Sequence, residues 1–398
     1  MHEVYPKYLA VLRSFVLGSA PEALTEEQWR KLMELSYIHS TQGIICHVYL
    51  SHPELIDPAQ RPALRQMCFN EVGIYATRAE QMVQLAAQLN QNAIDCLLFK
   101  GFVVRQYYPV PELRTFGDID LVIRQEDREK CHSLMLSLGY TAKIDWEPVY
   151  SYVKDGEYYE IHTQILEVDV SDKADYMAYF ADAWQHAQLS SQVKLPHIYE
   201  FSPEFHFLYL LTHIAKHISG SGAGIRMYLD LAFFLRHFGD SLRWEWVAQE
   251  LRKLQLTDFA NVALHAVEQW FSIPSPLPLT AVEEEIMADF LEFTLFGGVY
   301  GYAGRDKSIV FLKQQDPSGK KISKFRTLLF HAFPPERSLK DRYAYLQKCP
   351  WLLPWAWIQR LFDSRKEWRR FADHTKKIIT ADEEEAQKLR RIYQQIGL

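Results

Sequence analysis

The chain has 398 residues, 48% hydrophobic and 14% aromatic, which exceeds the usual single-domain length and predicts two or three packed units with sizeable cores. A net charge of −6 gives no global attraction for nucleic acid or an anionic membrane, so a small molecule or a protein is the default partner. Cys46, Cys68, Cys96, Cys131 and Cys349 show no CxxC spacing, which signals neither a zinc knuckle nor a disulfide framework and makes a reducing cytoplasm the expected compartment. Residues 8–17 are interrupted by Arg13 and do not read as a secretory signal, and no apolar run approaches the ~20 residues needed to span a bilayer.

Residues 1–92 read as a helical lobe. Thr25 before Glu26 and Glu27 predicts a capped helix with an acidic first turn, and residues 72–89 carry Met82, Val83, Leu85, Ala86 and Leu89 at helical spacing. Residues 93–170 change to strand, helix, strand, helix, hairpin. The turn Phe99-Lys100-Gly101 leads into a helix predicted over 102–108, and 126–138 forms the helix behind the next strand. From 171 to 398 almost everything reads as helix, punctuated by Pro203, Pro274, Pro276, Pro278 and Pro334-Pro335.

Within the middle unit, Asp118 and Asp120 are two residues apart, so on a strand they share one face while Ile119, Leu121 and Ile123 pack behind them. Two carboxylates that close resist joint ionisation unless a cation sits between them. A hard divalent ion supplies that charge, and Mg²⁺ typically takes one or two carboxylates plus substrate phosphates. The stretch 149–162, with Asp155-Gly156 at its centre, predicts a hairpin with a two-residue turn. Alternation puts Tyr158, Glu160 and His162 on one face and Tyr159 and Ile161 on the other, so Glu160 is the expected third carboxylate. The bland alternatives are a solvated strand end for the Asp pair and an exposed hairpin position for Glu160.

Lys100-Gly101, Arg114, Gly117-Asp118-Ile119-Asp120-Leu121 and Glu160-Ile161-His162 together resemble the nucleotidyltransferase superfamily of DNA polymerase beta. More closely they resemble a bacterial branch of uncharacterised nucleotidyltransferases, with a likeness extending through 205–238 and Phe333-Pro334-Pro335-Glu336-Arg337. The chain departs from the superfamily in having Gly101-Phe102 where Gly-Ser is usual. The resemblance implies an α+β fold, with a mixed β-sheet nucleotidyltransferase core (93–170) between an N-terminal helical lobe (1–92) and a large C-terminal helical domain (171–398). It also implies metal-dependent transfer of an NMP from an NTP such as ATP to a hydroxyl-bearing acceptor, with pyrophosphate leaving. The expected cofactor is Mg²⁺ or Mn²⁺ on Asp118, Asp120 and Glu160. Lys100 and the amides after Gly101 are expected to hold the β and γ phosphates, and Arg114 to clamp a phosphate with its planar fork. Surface solvation is the alternative for both basic residues. The expected acceptor is a small molecule. Protein or RNA nucleotidylation and a non-catalytic NTP-binding scaffold are the rival readings.

Further along, His206, Leu210, His213 and His217 form a stripe on the helix predicted from Pro203. His213 and His217 have zinc-compatible spacing, but Ile214 stands where a zinc protease needs Glu, so the stripe is expected either to pack or to face the cleft. The Gly-rich segment 220–224 reads as a helix connection. Arg226 and Asp230 are four apart, which suits a helical ion pair or, for Asp230, a catalytic base at the acceptor hydroxyl. Near the C-terminus, Trp351, Trp355 and Trp357 precede the basic segment 365–370. Packing of these tryptophans on the helical domain is the favoured reading, over a membrane or RNA contact, because of the prolines and the acidic cluster 382–385.

Overall fold

In the computed structural model, Thr25 caps its helix as predicted: its hydroxyl accepts from the Gln28 N–H and the Gln28 side chain accepts from the Thr25 N–H, a reciprocal capping box. The structure describes residues 2–298 except 147, 169 and 221, and residues 324–398 except 335, 337, 338, 340–342, 348, 363, 364, 381 and 382. Four helices form the N-terminal lobe: α1 (Tyr5–Leu17), α2 (Glu26–Ile38), α3 (Gln42–Leu50) and α4 (Arg61–Gln91). Helix α4 begins well before residue 72, with Pro62 in its first turn where no N–H is needed. Met82, Leu85, Ala86 and Leu89 are buried, whereas Val83 faces outward at 38% exposure.

The middle of the chain contributes β1 (Cys96–Leu98), α5 (Lys100–Val104), β2 (Ile119–Ile123), α6 (Arg128–Ser137), β3 (Thr141–Trp146), β4 (Val149–Lys154) and β5 (Glu157–His162). After α7 (Tyr176–Ala181), two short strands, β6 (Ala187–Leu189) and β7 (Ile198–Phe201), complete a mixed seven-stranded sheet of order β3-β4-β5-β2-β1-β7-β6. The β4–β5 turn places Asp155 at φ 52° and Gly156 at φ 84°, the paired left-handed conformation of a tight hairpin. Strands β6 and β7 correct the expectation of helix beyond 171, and the sheet draws on residues up to Phe201. They are too short to show a period, and β7 is held by parallel pairing to β1, about a hundred residues upstream, which no local pattern announces. The helix expected over 102–108 stops at Val104 and ends in a 3₁₀ turn, because Tyr108 precedes Pro109 and is driven to an extended conformation.

Each sheet face has its own core. Ile119, Leu121 and Ile123 pack with Met82, Leu85 and Leu89 of α4 and Met135 of α6. Leu97, Phe99 and Val122 face the other way, against Phe205 and Tyr209 of α8 (Pro203–Gly220). Beyond α8 lie α9 (Ile225–Phe238), α10 (Trp244–Lys253), α11 (Thr257–Phe271) and α12 (Glu284–Phe296), and the helix Glu383–Ile396 returns to bury Leu389, Ile392 and Ile396 in the same core. Trp351 and Trp355 are 74% and 58% exposed, which corrects their expected packing on the helical domain, while Trp357 donates its indole N–H to the Pro334 carbonyl. Pro335 and Arg337 of the segment 333–337, and Asp382 of the acidic cluster, lie outside the described residues. Among the described residues, no helix is long and apolar enough to cross a membrane.

Candidate active site

Strands β2 and β5 run parallel with Asp120 directly opposite Glu160 and Val122 opposite His162. Because Ile119 and Leu121 bury toward α4, Asp120 points to the opposite side, toward α8 and α9. Asp118 sits in the bend just before β2, open to the cleft. The Lys100 ammonium donates to Asp120 Oδ1 at 2.7 Å, and His162 Nε2 lies 2.9 Å from the same oxygen and 3.7 Å from Glu160 Oε2. Lys100 itself holds φ 54°, a left-handed conformation unusual for a residue with a Cβ.

This crowding sets the ionisation of each group. Burial opposes the Asp120 charge, but Lys100 and the His162 hydrogen bond hold its carboxyl well below the usual carboxylate range. Burial likewise opposes the Lys100 charge, and Asp120 more than compensates, raising the Lys100 pKa. For Glu160 the balance is reversed: burial, then the Asp120 and Asp118 charges, outweigh Lys100 and push it up to about 7. Desolvation and the neighbouring Asp120 raise Asp118 in the same way. A site that disfavours its own carboxylate charges is one where a cation is stabilising.

The carboxylates open onto a cleft of ≈ 250 Å³ closed by α8 and α9, with Glu167, His213, Lys216, His217, Arg226 and Asp230 in its walls. The histidine stripe therefore divides. His213 and His217 reach the cleft, their rings 4.5 Å apart, while His206 is buried against Phe234. Asp230 does not pair with Arg226. Its two oxygens accept from Arg114 Nε at 3.0 Å and Nη2 at 2.5 Å, and Tyr108 donates a further bond at 2.7 Å. In this arrangement the Arg114 fork and the Asp230 carboxylate, expected to serve phosphate and acceptor separately, are engaged with each other. Arg226 instead donates to the Thr115 hydroxyl at 2.7 Å. Lys216 has no hydrogen-bond or ion-pair partner among the described residues, and burial lowers its pKa.

The ligand atoms that converge for a metal are those of Asp120, Glu160 and His162, all within 4.8 Å of one another. Asp118 flanks this cluster. Sequence reading put His162 on the Glu160 face without giving it a role, and the signal was its i+2 spacing from Glu160. Lys216, not among the residues singled out from the sequence, lies on α8 three residues after His213 and so shares the cleft-facing stripe.

Residues 25–272, more than half of the chain, match the family described as uncharacterised nucleotidyltransferases. No curated protein matches the chain. Among solved structures, it is similar to the antibiotic-resistance factor ANT(2'')-Ia determined in solution, at 13% identity and a TM-score of 0.34, over 48% of this chain and 97% of that one. The matched span runs from the capping box of α2 to the end of α11 and so includes the sheet, the Asp120–Glu160 pair and the walls of the cleft: the chain belongs to the uncharacterised nucleotidyltransferase family.

Proposed function

We propose that this nucleotidyltransferase moves an NMP from an NTP to a hydroxyl on a small molecule, releasing pyrophosphate, in the cleft between β2–β5 and helices α8–α9. The observation that carries this reading is the Asp120–Glu160 pair facing Lys216 and Arg226 across one cleft, acidic groups for a cation opposite basic groups for phosphate. A divalent ion held by Asp118, Asp120 and Glu160 would neutralise the triphosphate and stabilise the leaving oxygen. Lys216, which has no carboxylate partner among the described residues, binds the outer phosphates. Arg226 adds a planar donor beside it. Lys100 holds Asp120 in the orientation needed for ligation and, with Gly101, borders the phosphate path. Asp230, with both oxygens taken, positions Arg114 rather than accepting the acceptor's proton. The net charge of −6 disfavours a polyanionic acceptor and supports a small hydroxylic one.

The test is incubation with each α-³²P-labelled NTP, Mg²⁺ and fractionated cell extract, resolving small molecules, RNA and protein. Wild type should label a small-molecule fraction. Asp118→Asn and Asp120→Asn should each lose roughly 100-fold or more of that labelling while remaining folded by circular dichroism at the assay temperature. Equal labelling by wild type and both folded variants overturns the reading, and label confined to protein or RNA replaces the acceptor.

A further inference from the structure

The geometry points to His162 as a nitrogen ligand of the cation site, backed by Glu167, so that the site takes Mn²⁺ in preference to Mg²⁺. This rests on the metal-dependent reading above and changes its donor set from three carboxylates to a mixed oxygen and nitrogen set.

Three observations converge. First, separations: His162 Nε2 stands 2.9 Å from Asp120 Oδ1 and 3.7 Å from Glu160 Oε2. Metal–ligand bonds of about 2.1 Å put neighbouring octahedral ligands about 3 Å apart and opposite ones about 4.2 Å apart, so the His162–Asp120 separation matches neighbouring ligands and the His162–Glu160 separation falls between the two. Second, rigidity: the His162 side chain is 2% exposed, ends a strand paired on both sides, and takes the Phe99 ring edge-on at 5.9 Å. Its nitrogen is therefore fixed before any ion arrives.

Third, the other nitrogen. Nδ1 is buried with no hydrogen-bond partner among the described residues, and the Glu167 carboxylate lies 3.6 Å from it. If Nε2 carries the proton and donates to Asp120, Nδ1 is left as a buried lone pair facing a carboxylate, which is unfavourable twice over. The opposite tautomer gives Nδ1–H to Glu167 after a shift of under an ångström and turns the Nε2 lone pair on the cluster. That lone pair then faces a carboxylate oxygen, and a cation between the two relieves the repulsion. Metal-bound histidines donate their second N–H to a carboxylate or carbonyl in this way. Imidazole suits first-row transition ions, whereas Mg²⁺ favours oxygen alone. Mn²⁺ accepts the mixed set and retains the six-coordinate geometry that phosphoryl transfer uses.

The test is pulsed electron paramagnetic resonance on the full chain loaded with Mn²⁺. Wild type should show modulation from a directly bound ¹⁴N, replaced by a ¹⁵N pattern when only the histidines are labelled, and His162→Gln should abolish it. Calorimetry should find Mn²⁺ binding weakened about tenfold or more in His162→Gln, with Mg²⁺ binding nearly unchanged. Glu167→Gln, at a half-exposed position that leaves the core intact, should weaken Mn²⁺ by roughly 10-fold. Should wild type bind Mn²⁺ in a manner lost in Asp120→Asn but without nitrogen coupling, or should the coupling persist in His162→Gln, the inference fails and the metal-dependent reading stands. Absence of any Mn²⁺ or Mg²⁺ binding, with or without ATP, overturns both.

Discussion

The Arg114 guanidinium fills the space that a Cβ at Gly101 would need, since such a Cβ would stand 2.7 Å from the Arg114 Cζ. The glycine after Lys100 thus lets an arginine pass beneath the turn on its way to Asp230, in addition to whatever it offers a phosphate. The neighbouring Phe102, where the superfamily usually has Ser, is buried in the core behind β2.

That relationship makes the two positions interdependent. Gly101→Ala should destabilise the wild-type protein by about 1–3 kcal/mol through overpacking, and much less in an Arg114→Ala background where the space is free. Arg114→Ala alone should be worse, about 3–5 kcal/mol, because it strands a buried Asp230 carboxylate. Urea unfolding of the two single variants and the double variant checks this, and strictly additive losses would refute the contact.

Two lysines of the cleft should respond oppositely to loss of charge. Lys216→Met removes a partly buried cation that has no partner among the described residues, so the thermal midpoint should hold or rise while NTP affinity falls roughly 10–100-fold, the worth of a charge-assisted phosphate contact. Adenosine affinity should not move. Lys100→Met removes the ammonium that neutralises Asp120, and it should lower the midpoint. Differential scanning and calorimetry read both signs. A midpoint loss in Lys216→Met matching that in Lys100→Met would contradict the assignment.

Acid should destabilise the fold through two buried histidines far from the carboxylates' chemistry. Burial lowers His39 to about 4, against one hydrogen bond to the Leu295 carbonyl, and lowers His206 to about 4 as well. A group whose folded pKa is depressed binds more protons when unfolded, so its contribution is complete above about pH 6.5 and is lost as pH falls toward 4. Each histidine contributes on the order of 3 kcal/mol at neutral pH. Denaturant unfolding at intervals from pH 7.5 to 4 should show that slope, and His206→Phe should flatten it. A stability profile independent of pH over this window would exclude the mechanism.

What was legible in the sequence follows from the range of the signal. Asp120 and Glu160 could each be given a strand face because a period of two and an Asp-Gly turn are local features, and the burial of Tyr159 and Ile161 follows the same rule, whereas the parallel pairing that sets β2 beside β5 is not local. The capping box at Thr25 was local too. Strand β7 was not legible, since four residues pairing with a partner about a hundred residues away leave no periodic trace. The Arg114–Asp230 pair was hidden for the same reason: both residues were visible, but nothing local says that an arginine before β2 reaches an aspartate in α9.

The short loop from Arg114 to Asp118 is fastened from three directions. Arg226 and Asp230 of α9 hold Thr115 and Arg114, the Thr115 hydroxyl donates to the Ser40 carbonyl, and Arg78 of α4 donates to the Phe116 carbonyl. The N-terminal lobe, the sheet and the C-terminal helices therefore meet in one loop. A wide hinge opening of the cleft would have to break the buried Arg114–Asp230 ion pair, worth several kcal/mol. In the proposed reaction, substrate and product would then pass cleft-lining side chains such as Lys216 and His217, and turnover should be gated there instead of by the swing of a lobe.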